Sequence, residues 1–147
     1  MPPIVHADTL NNELERAQII VHQGLYYVLC STQASVFAPD GPSGPTGFYG
    51  MVASSLAGPW RPLNGSGLVI ANPDDEPMQA YSWFASADLL VYSFVDHCGL
   101  NGRDPVGNAC VATATFGGTP APMVRIALDG DTSAIVETFA MDQLHAR

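Results

Sequence analysis

Short apolar runs separated by turn-forming residues are the dominant pattern of this 147-residue sequence. Residues 17–22 and 25–31 are two such runs, and only Gln23-Gly24 lies between them. Two apolar runs joined by a two-residue turn that contains glycine are typical of a β-hairpin. Because residues 25–30 are apolar on both faces, the second strand is predicted to lie in the middle of a sheet.

Further apolar runs predict strands at residues 48–53, 68–71, 80–85, 89–96, 123–128 and 134–139. No segment has strong helical periodicity, and only residues 140–147 are compatible with one helical turn. Eight or nine short strands at these intervals predict an antiparallel all-β fold. A loose repeat of four-stranded units is typical of β-propeller blades, and a β-sandwich fits the same strand count.

The charge balance narrows the range of partners. There are 14 acidic and 5 basic residues, for a formal net charge of −9. Nucleic acids and anionic membranes need clustered Lys and Arg, so neither is expected, whereas a neutral ligand such as a sugar fits. No apolar run approaches the ~20 residues of a membrane span, and no signal-peptide pattern opens the sequence.

The three cysteines are Cys30, Cys98 and Cys110, and an odd number does not form a disulfide framework. Cys98 and Cys110 flank a polar loop and either pair in an oxidising compartment or stay free. Cys30 lies in an apolar run and is predicted to be buried. No spacing of Cys and His resembles a zinc site, so no metal is predicted.

The candidate chemistry centres on Glu13, Glu15 and Arg16. In an extended segment both carboxylates share one face and Arg16 takes the other, but in a bulge Arg16 can turn back towards Glu15. Two crowded carboxylates repel, so one of them should keep its proton to a higher pH. A protonated Glu in a donor-rich pocket is the general acid that glycosidic cleavage needs. A solvated charge cluster or the start of a helix explains the same spacing.

In four stretches the sequence resembles the C-terminal part of the levansucrase, inulosucrase and β-fructofuranosidase family, glycoside hydrolase family 68. They occur in the family's order and are residues 12–18 (NELERAQ) with 24–28 (GLYYV), 47–50 (GFYG) with 58–68 (GPWRPLNGSGL), 79–83 (QAYSW) and 117–122 (GGTPAP). The resemblance implies a five-bladed β-propeller with a central funnel for the sugar. Residues 1–147 would then be a single propeller fragment, roughly the last two blades.

The resemblance also implies a role for five residues. Glu15 matches the general acid/base that protonates the leaving glucose oxygen of sucrose, and Glu13 matches a sugar-contacting carboxylate. Arg16 matches a substrate-binding arginine, and Tyr81 an aromatic hydroxyl of the fructosyl site. Gln33 stands where relatives often carry Arg or His near the acceptor site, which leaves the preferred product open.

The implied reaction is retaining transfer of a fructosyl group from sucrose to water or to a growing fructan, outside the cell. Two substitutions depart from the family pattern. Trp83 replaces a common His, and Asn12 stands where some relatives carry an Asp tied to calcium. No cofactor is therefore expected for this chain.

The family's nucleophilic and transition-state-stabilising aspartates both precede the Glu-Arg motif. Here only Asp8 precedes Glu15, and it lacks the family's surrounding residues. Arg103-Asp104-Pro105 has the letters of the stabiliser motif but lies downstream, where a turn with a salt bridge is expected. Retaining cleavage needs two carboxyl groups roughly 5 Å apart. The expectation is a chain that lacks the N-terminal blades and is inactive alone.

A second hypothesis is a non-catalytic β-rich module that binds carbohydrate or another chain. It is supported by the low charge and by the aromatic residues Tyr26, Tyr27, Trp60, Tyr81 and Trp83. Aromatic residues in strands usually belong to the core, although sugars also stack on such rings.

Overall fold

The computed structural model describes Asn11, residues 13–39 and residues 43–139. Within these residues the chain is mainly β-structure, as predicted, with a short α-helix (α1, Ala109–Thr115) and a 3-10 turn (Ala34–Val36). The strands are β1 (Glu15–His22), β2 (Leu25–Thr32), β3 (Gly47–Ala53), β4 (Arg61–Pro62), β5 (Leu68–Ala71), β6 (Ala80–Ala85), β7 (Leu90–Val95), β8 (Met123–Asp129) and β9 (Thr132–Phe139).

The strands form two antiparallel sheets. In the first sheet β2 lies between β1 and β3, and β3 pairs with both β4 and β5 on its other side. In the second sheet β6, β7, β8 and β9 are neighbours in chain order. Each sheet is thus largely an up-and-down meander, which is the arrangement of a propeller blade.

The predicted hairpin is confirmed. Gln23 and Gly24 have φ of 50° and 78°, the two positive values of a type I′ turn, whose twist matches that of the flanking strands. Strand β2 is central, and its residues from Tyr27 onward are buried.

The core lies between the two sheets, with β6 packed on the first sheet. Alternate residues of each strand point into it, as expected for sheets with one covered face. Its members include Ile20, Tyr27, Leu29, Phe48 and Val52 from the first sheet, and Tyr81, Trp83, Ala85, Val91, Ile126 and Leu128 from the second.

Helix α1 and strand β4 were not predicted. The helix has seven residues, too few for a clear periodic pattern, and its start is stabilised by Asn108 Oδ1, which accepts a hydrogen bond from the Val111 N–H at 3.2 Å. The predicted helical turn at 140–147 lies outside the described residues. No described helix is long and apolar enough to cross a membrane.

The structure confirms that Cys30 is buried, and it shows Cys98 and Cys110 as unpaired thiols. Cys30 is buried, and burial raises the pKa of its thiol to about 11. Cys98 and Cys110 are exposed free thiols.

Candidate active site

The first strand of each sheet is bulged near its start. In β1 the register shifts between Glu15 and Gln18, and in β6 it shifts between Tyr81 and Phe84. Each bulge contains a non-glycine residue with positive φ, directly after the candidate site residue: Arg16 (51°) follows Glu15, and Ser82 (56°) follows Tyr81. A bulge re-aims the neighbouring side chains. The simple alternation of an extended strand therefore fails here.

Glu15 and Tyr81 meet where the two sheets adjoin. The Tyr81 hydroxyl donates a 2.6 Å hydrogen bond to Glu15 Oε2. This bond is the main cause that holds the pKa of Glu15 below its ordinary value, and the Arg16 charge contributes less. Burial, followed by the bond to the carboxylate, raises the pKa of Tyr81 to about 12. Tyr81 is therefore a neutral donor, and Glu15 is the charged acceptor.

Of the two carboxyl groups, Glu13 and Glu15, Glu13 is the one with the raised pKa. A side-chain hydrogen bond with Glu15, and then the charge of Glu15, are the main causes. The raised pKa of Glu13 agrees with the prediction that one of two crowded carboxyl groups keeps its proton to a higher pH. The raised pKa belongs to Glu13 and not to Glu15, whose pKa is lowered because Tyr81 donates to it and stabilises its carboxylate.

Gln33 is the fourth predicted residue that lies at this site, beside Glu13, Glu15 and Tyr81. It follows the last residue of β2, and its side-chain hydrogen bond with Tyr81 partly offsets the rise in the pKa of that hydroxyl. The structure thus brings Glu13, Glu15, Gln33 and Tyr81 together. Arg16 is exposed beside them, close enough for its charge to act on Glu15.

Two polar side chains of the first sheet fix β6 in place. Ser31 Oγ accepts a hydrogen bond from the Trp83 N–H at 3.1 Å, and Gln18 Oε1 accepts one from the Ala85 N–H at 3.0 Å. Ser31 is also the register partner of Glu15. Neither residue was identified from the sequence, although a serine in a fully buried central strand and a glutamine in an apolar strand are both signals of a buried hydrogen bond.

A closed set of hydrogen bonds holds the segment before β1. Asn11 Nδ2 donates to Thr32 Oγ1 at 2.7 Å, and that hydroxyl donates to the Glu13 carbonyl at 2.9 Å. The Glu13 N–H in turn donates to Asn11 Oδ1 at 2.7 Å. Asn11 and Thr32 are both buried, so these bonds fix the backbone that carries Glu13.

The structure places Arg103-Asp104-Pro105 in a loop between two turns, and the predicted salt bridge is absent from the ion pairs of the described residues. Arg103 donates to the carbonyl oxygens of Leu100 and Gly99 in its own loop, and Asp104 Oδ1 accepts from the Val106 N–H. These contacts give the loop a local structural role. Asp8 and Asn12 lie outside the described residues.

Metal ligands do not cluster in the described part of the chain. No group of three or more His, Cys, Asp or Glu side chains within it is arranged to hold a metal ion.

The family model described as levansucrase/invertase, of glycoside hydrolase family 68, matches residues 1–144. The chain belongs to the levansucrase/invertase family. It is 39% identical over 139 residues to the levansucrase of Erwinia amylovora and 40% identical over the same length to levansucrase LscA of Pseudomonas savastanoi pv. glycinea. Each alignment covers 95% of this chain and 31% of the relative.

Solved structures agree with this assignment. An inulosucrase from Halalkalicoccus jeotgali bound to kestose superposes with a TM-score of 0.80 at 46% identity, over 89% of this chain and 34% of that one. The catalytic domain of a β-fructofuranosidase from Microbacterium saccharophilum gives 0.79 at 29% identity, over 92% and 30%. These neighbours are β-propeller enzymes, so the predicted partial propeller is confirmed and the β-sandwich is excluded.

Proposed function

We propose that this chain supplies the acid/base side of a retaining, sucrose-cleaving fructosyltransferase of the levansucrase type. The observation that carries the proposal is the contact of Tyr81 with Glu15, where the first strands of two propeller sheets meet. Membership of the levansucrase/invertase family supports it further. The fructosyl group would pass from sucrose to water or to a fructan, with no cofactor.

In the proposed reaction Glu15 gives a proton to the glucose oxygen as the glycosidic bond breaks. At rest the Tyr81 hydroxyl favours the charged form of Glu15, and the adjacent Glu13 has the raised pKa. The hydrogen bond between the two carboxyl groups is a short path along which a proton taken up by Glu13 would reach Glu15. Microscopic reversibility then makes the Glu15 carboxylate the base that accepts a proton from the incoming water or sugar hydroxyl.

The remaining site residues have binding roles in this proposal. The exposed Arg16 offers guanidinium donors to sugar hydroxyls. The Gln33 amide both donates and accepts, so it suits a neutral acceptor sugar. Its position beside the Tyr81 hydroxyl puts it next to the reacting pair.

Retaining transfer needs a second carboxylate as nucleophile, roughly 5 Å from the first. Within the described residues, the charged groups that shift the pKa of Glu15 are Glu13 and Arg16. This chain also spans less than a third of its curated relatives. We infer that the nucleophile lies in further blades of the same fold, and that the isolated chain does not turn over sucrose. The extracellular location implied by the family resemblance belongs to the same proposal.

The test is complementation. The part of the Erwinia amylovora levansucrase that this chain does not match is combined with the chain, and glucose release from sucrose is measured. Glu15→Gln should lower kcat by about 10²-fold or more, since a general acid/base contributes at least that much. Glu137→Gln changes an exposed carboxylate on β9 and should leave kcat within about twofold. Turnover by the chain alone would show that the second carboxylate is in this chain.

The alternative function is a carbohydrate-binding module without catalysis. It is favoured by the low charge of the chain and by its exposed aromatic rings, since Phe84 is 56% and Tyr92 41% exposed and sugars stack on such rings. Calorimetric titration with sucrose and short fructans separates the two. Binding that survives Glu15→Gln, together with no bond cleavage in the complemented protein, would support the module.

A further inference from the structure

Strand β6, which carries Tyr81, is held on one side by side chains of the first sheet. In the described part of the chain its strand neighbour is β7, so its other edge has no strand partner. Three backbone N–H groups donate across that edge: Ala80 to Asn72 Oδ1 at 3.1 Å, Trp83 to Ser31 Oγ at 3.1 Å and Ala85 to Gln18 Oε1 at 3.0 Å. These side chains therefore take the place of a neighbouring strand.

The spacing of the three N–H groups matches the bulge in β6. In a regular strand every second residue turns its N–H to the same side. Ala80 and Trp83 are three positions apart, whereas Trp83 and Ala85 are two positions apart. The extra residue falls in the segment where the register with β7 shifts. Asn72 and Ser31 therefore hold the strand on either side of the bulge.

Both of these side chains are buried. Asn72 directly follows β5, and besides accepting the Ala80 N–H it donates from Nδ2 to the Ala80 carbonyl at 2.9 Å and to the Pro77 carbonyl at 3.0 Å. Both polar groups of the Ala80 backbone are thus bonded to one side chain. Ser31 is fully buried in the central strand β2 and is the register partner of Glu15.

Tyr81 lies within the segment that these two side chains hold. The next residue, Ser82, has a φ of 56°, a left-handed conformation that is disfavoured for a residue with a Cβ and persists only where the surroundings hold it. If the bulge straightened, the direction of Tyr81 relative to the residues after it would change. Its hydroxyl would then lose its alignment with Glu15.

We propose that Asn72 and Ser31 are positioning residues: by holding the bulge of β6, they set the hydrogen bond from the Tyr81 hydroxyl to Glu15. The proposal rests on the proposed function for the part that Glu15 takes in catalysis. Ser31 has the more direct effect, because it ties the strand pair that carries the acid to the strand that carries its donor. Both residues act through Tyr81, since neither is among the groups that shift the pKa of Glu15.

A carboxyl ¹³C NMR titration of Glu15 in the full chain tests the proposal. Ser31→Ala and Asn72→Ala should each raise the Glu15 pKa towards its ordinary value, because a misplaced Tyr81 hydroxyl no longer stabilises the carboxylate. In a Tyr81→Phe background neither substitution should move that pKa further. A positioning residue acts only through the group that it positions, so the two changes should not add.

Asn64→Ala is the matched control for Asn72→Ala. Asn64 also joins the two sheets, since its Oδ1 accepts the Ser133 N–H at 2.8 Å and its Nδ2 donates to Ser133 Oγ at 2.8 Å. Ser133 is on β9, which is the strand of the second sheet farthest from β6. Asn64→Ala should therefore lower the free energy of unfolding in urea and leave the Glu15 pKa unchanged.

The second measurement is the activity of the complemented enzyme. Ser31→Ala should lower kcat by about tenfold or more and leave KM within about twofold, because misplacement of a catalytic group acts mainly on the transition state. Asn64→Ala should leave both constants within about twofold. Glu13 and Arg16, which also shift the Glu15 pKa, are the same in every variant.

The proposal is wrong if Ser31→Ala and Asn72→Ala leave the Glu15 pKa where it is in the unsubstituted chain. A further shift in the Tyr81→Phe background, or an equal shift in Asn64→Ala, would also overturn it, since either would indicate a general effect of weaker packing. If Asn72→Ala does not fold, Ser31→Ala decides alone.

The positioning role and the proposed function fail in different ways. If the Glu15 pKa shifts as expected but kcat of the complemented enzyme is unchanged in Ser31→Ala and in Glu15→Gln, the positioning of Tyr81 is upheld and the proposed function is contradicted. If Glu15→Gln lowers kcat but Ser31→Ala changes neither kcat nor the Glu15 pKa, the proposed function stands and the positioning role is contradicted.

Discussion

The Tyr81 hydroxyl donates a 2.6 Å hydrogen bond to Glu15 Oε2 across the boundary between the two sheets. The two residues are 66 positions apart in the chain, so this contact exists only when both sheets are packed. It joins the candidate acid/base to the core, since the Tyr81 ring is buried against Trp83 and Phe94.

Removal of this donor should change the protonation of Glu15. In Tyr81→Phe the main cause of its lowered pKa is lost, so we expect that pKa to rise towards the ordinary 4.5. Carboxyl ¹³C NMR titration measures it directly. Tyr49→Phe is the control, because the Tyr49 hydroxyl donates to the Pro45 carbonyl at 2.8 Å. An unchanged Glu15 midpoint in Tyr81→Phe would contradict the assignment of the cause.

The same bond has a consequence for stability at acid pH. A carboxyl whose pKa is lowered in the folded state stabilises the fold above its unfolded-state pKa and loses that effect as pH falls through the folded value. Tyr81→Phe should therefore lower the free energy of unfolding more at pH 7 than at pH values below the Glu15 titration. Urea unfolding at both pH values checks this, and an equal loss at both would contradict it.

The stability of the fold at alkaline pH should depend on the half-buried Tyr49 and the buried Tyr81. Burial is the main cause that raises the pKa of both Tyr49 and Tyr81 from 10 to about 12. Below pH 10 both phenols are neutral in the folded and unfolded states. Between pH 10 and 12 the unfolded chain gains by ionisation, so the free energy of unfolding should fall. Tyrosinate absorbance should show Tyr49 and Tyr81 among the late-titrating phenols, together with Tyr27, whose pKa burial also raises. Tyr49→Phe or Tyr81→Phe should each remove one late-titrating phenol. Uniform titration of all tyrosines near pH 10 in the folded protein would be inconsistent with this.

Ser31 and Ser55 offer a matched test of a buried hydrogen bond. Each Oγ accepts a backbone N–H at 3.1 Å, but the bond from Trp83 to Ser31 is buried and the bond from Ala57 to Ser55 is exposed. Ser31→Ala leaves the Trp83 N–H without a partner and should lower the free energy of unfolding by about 1–3 kcal/mol. Ser55→Ala should change it by less than about 0.5 kcal/mol. Similar losses in urea unfolding would mean that Ser31 does not fix β6.

The core between the sheets should respond to truncation of a central side chain. Leu29 on β2 is fully buried, so Leu29→Ala should cost about 2–5 kcal/mol through lost burial and a residual cavity. Leu56→Ala, at an exposed leucine, should cost less than about 0.5 kcal/mol. Urea unfolding of each variant measures its loss in the free energy of unfolding. Near-equal losses for Leu29→Ala and Leu56→Ala would mean that Leu29 does not stabilise the core.

The strands were largely predictable because their signals are local. Alternation, apolar runs and the Gln23-Gly24 turn depend on neighbouring residues, and the bounds of β5 and β6 agree with the prediction. Helix α1 was missed because its stability comes from an Asn108 cap and from its context.

The site was predictable in composition but not in arrangement. The family resemblance identified Glu13, Glu15, Arg16, Gln33 and Tyr81, and the structure places them side by side. The direction of the Glu15 pKa shift and the role of Ser31 depend on contacts between residues distant in the chain. Spacing in the sequence carries no information about such contacts.

The paired bulges in β1 and β6 have a consequence for sequence variation. Because Arg16 and Ser82 adopt left-handed backbone angles, the separation of acid and hydroxyl is set by the main chain. Glycine or asparagine is compatible with this geometry at either position, whereas valine or isoleucine is strongly disfavoured there. Exchange of Arg16 for asparagine should therefore change the group presented beside Glu15 while the distance between Glu15 and the Tyr81 hydroxyl stays constant.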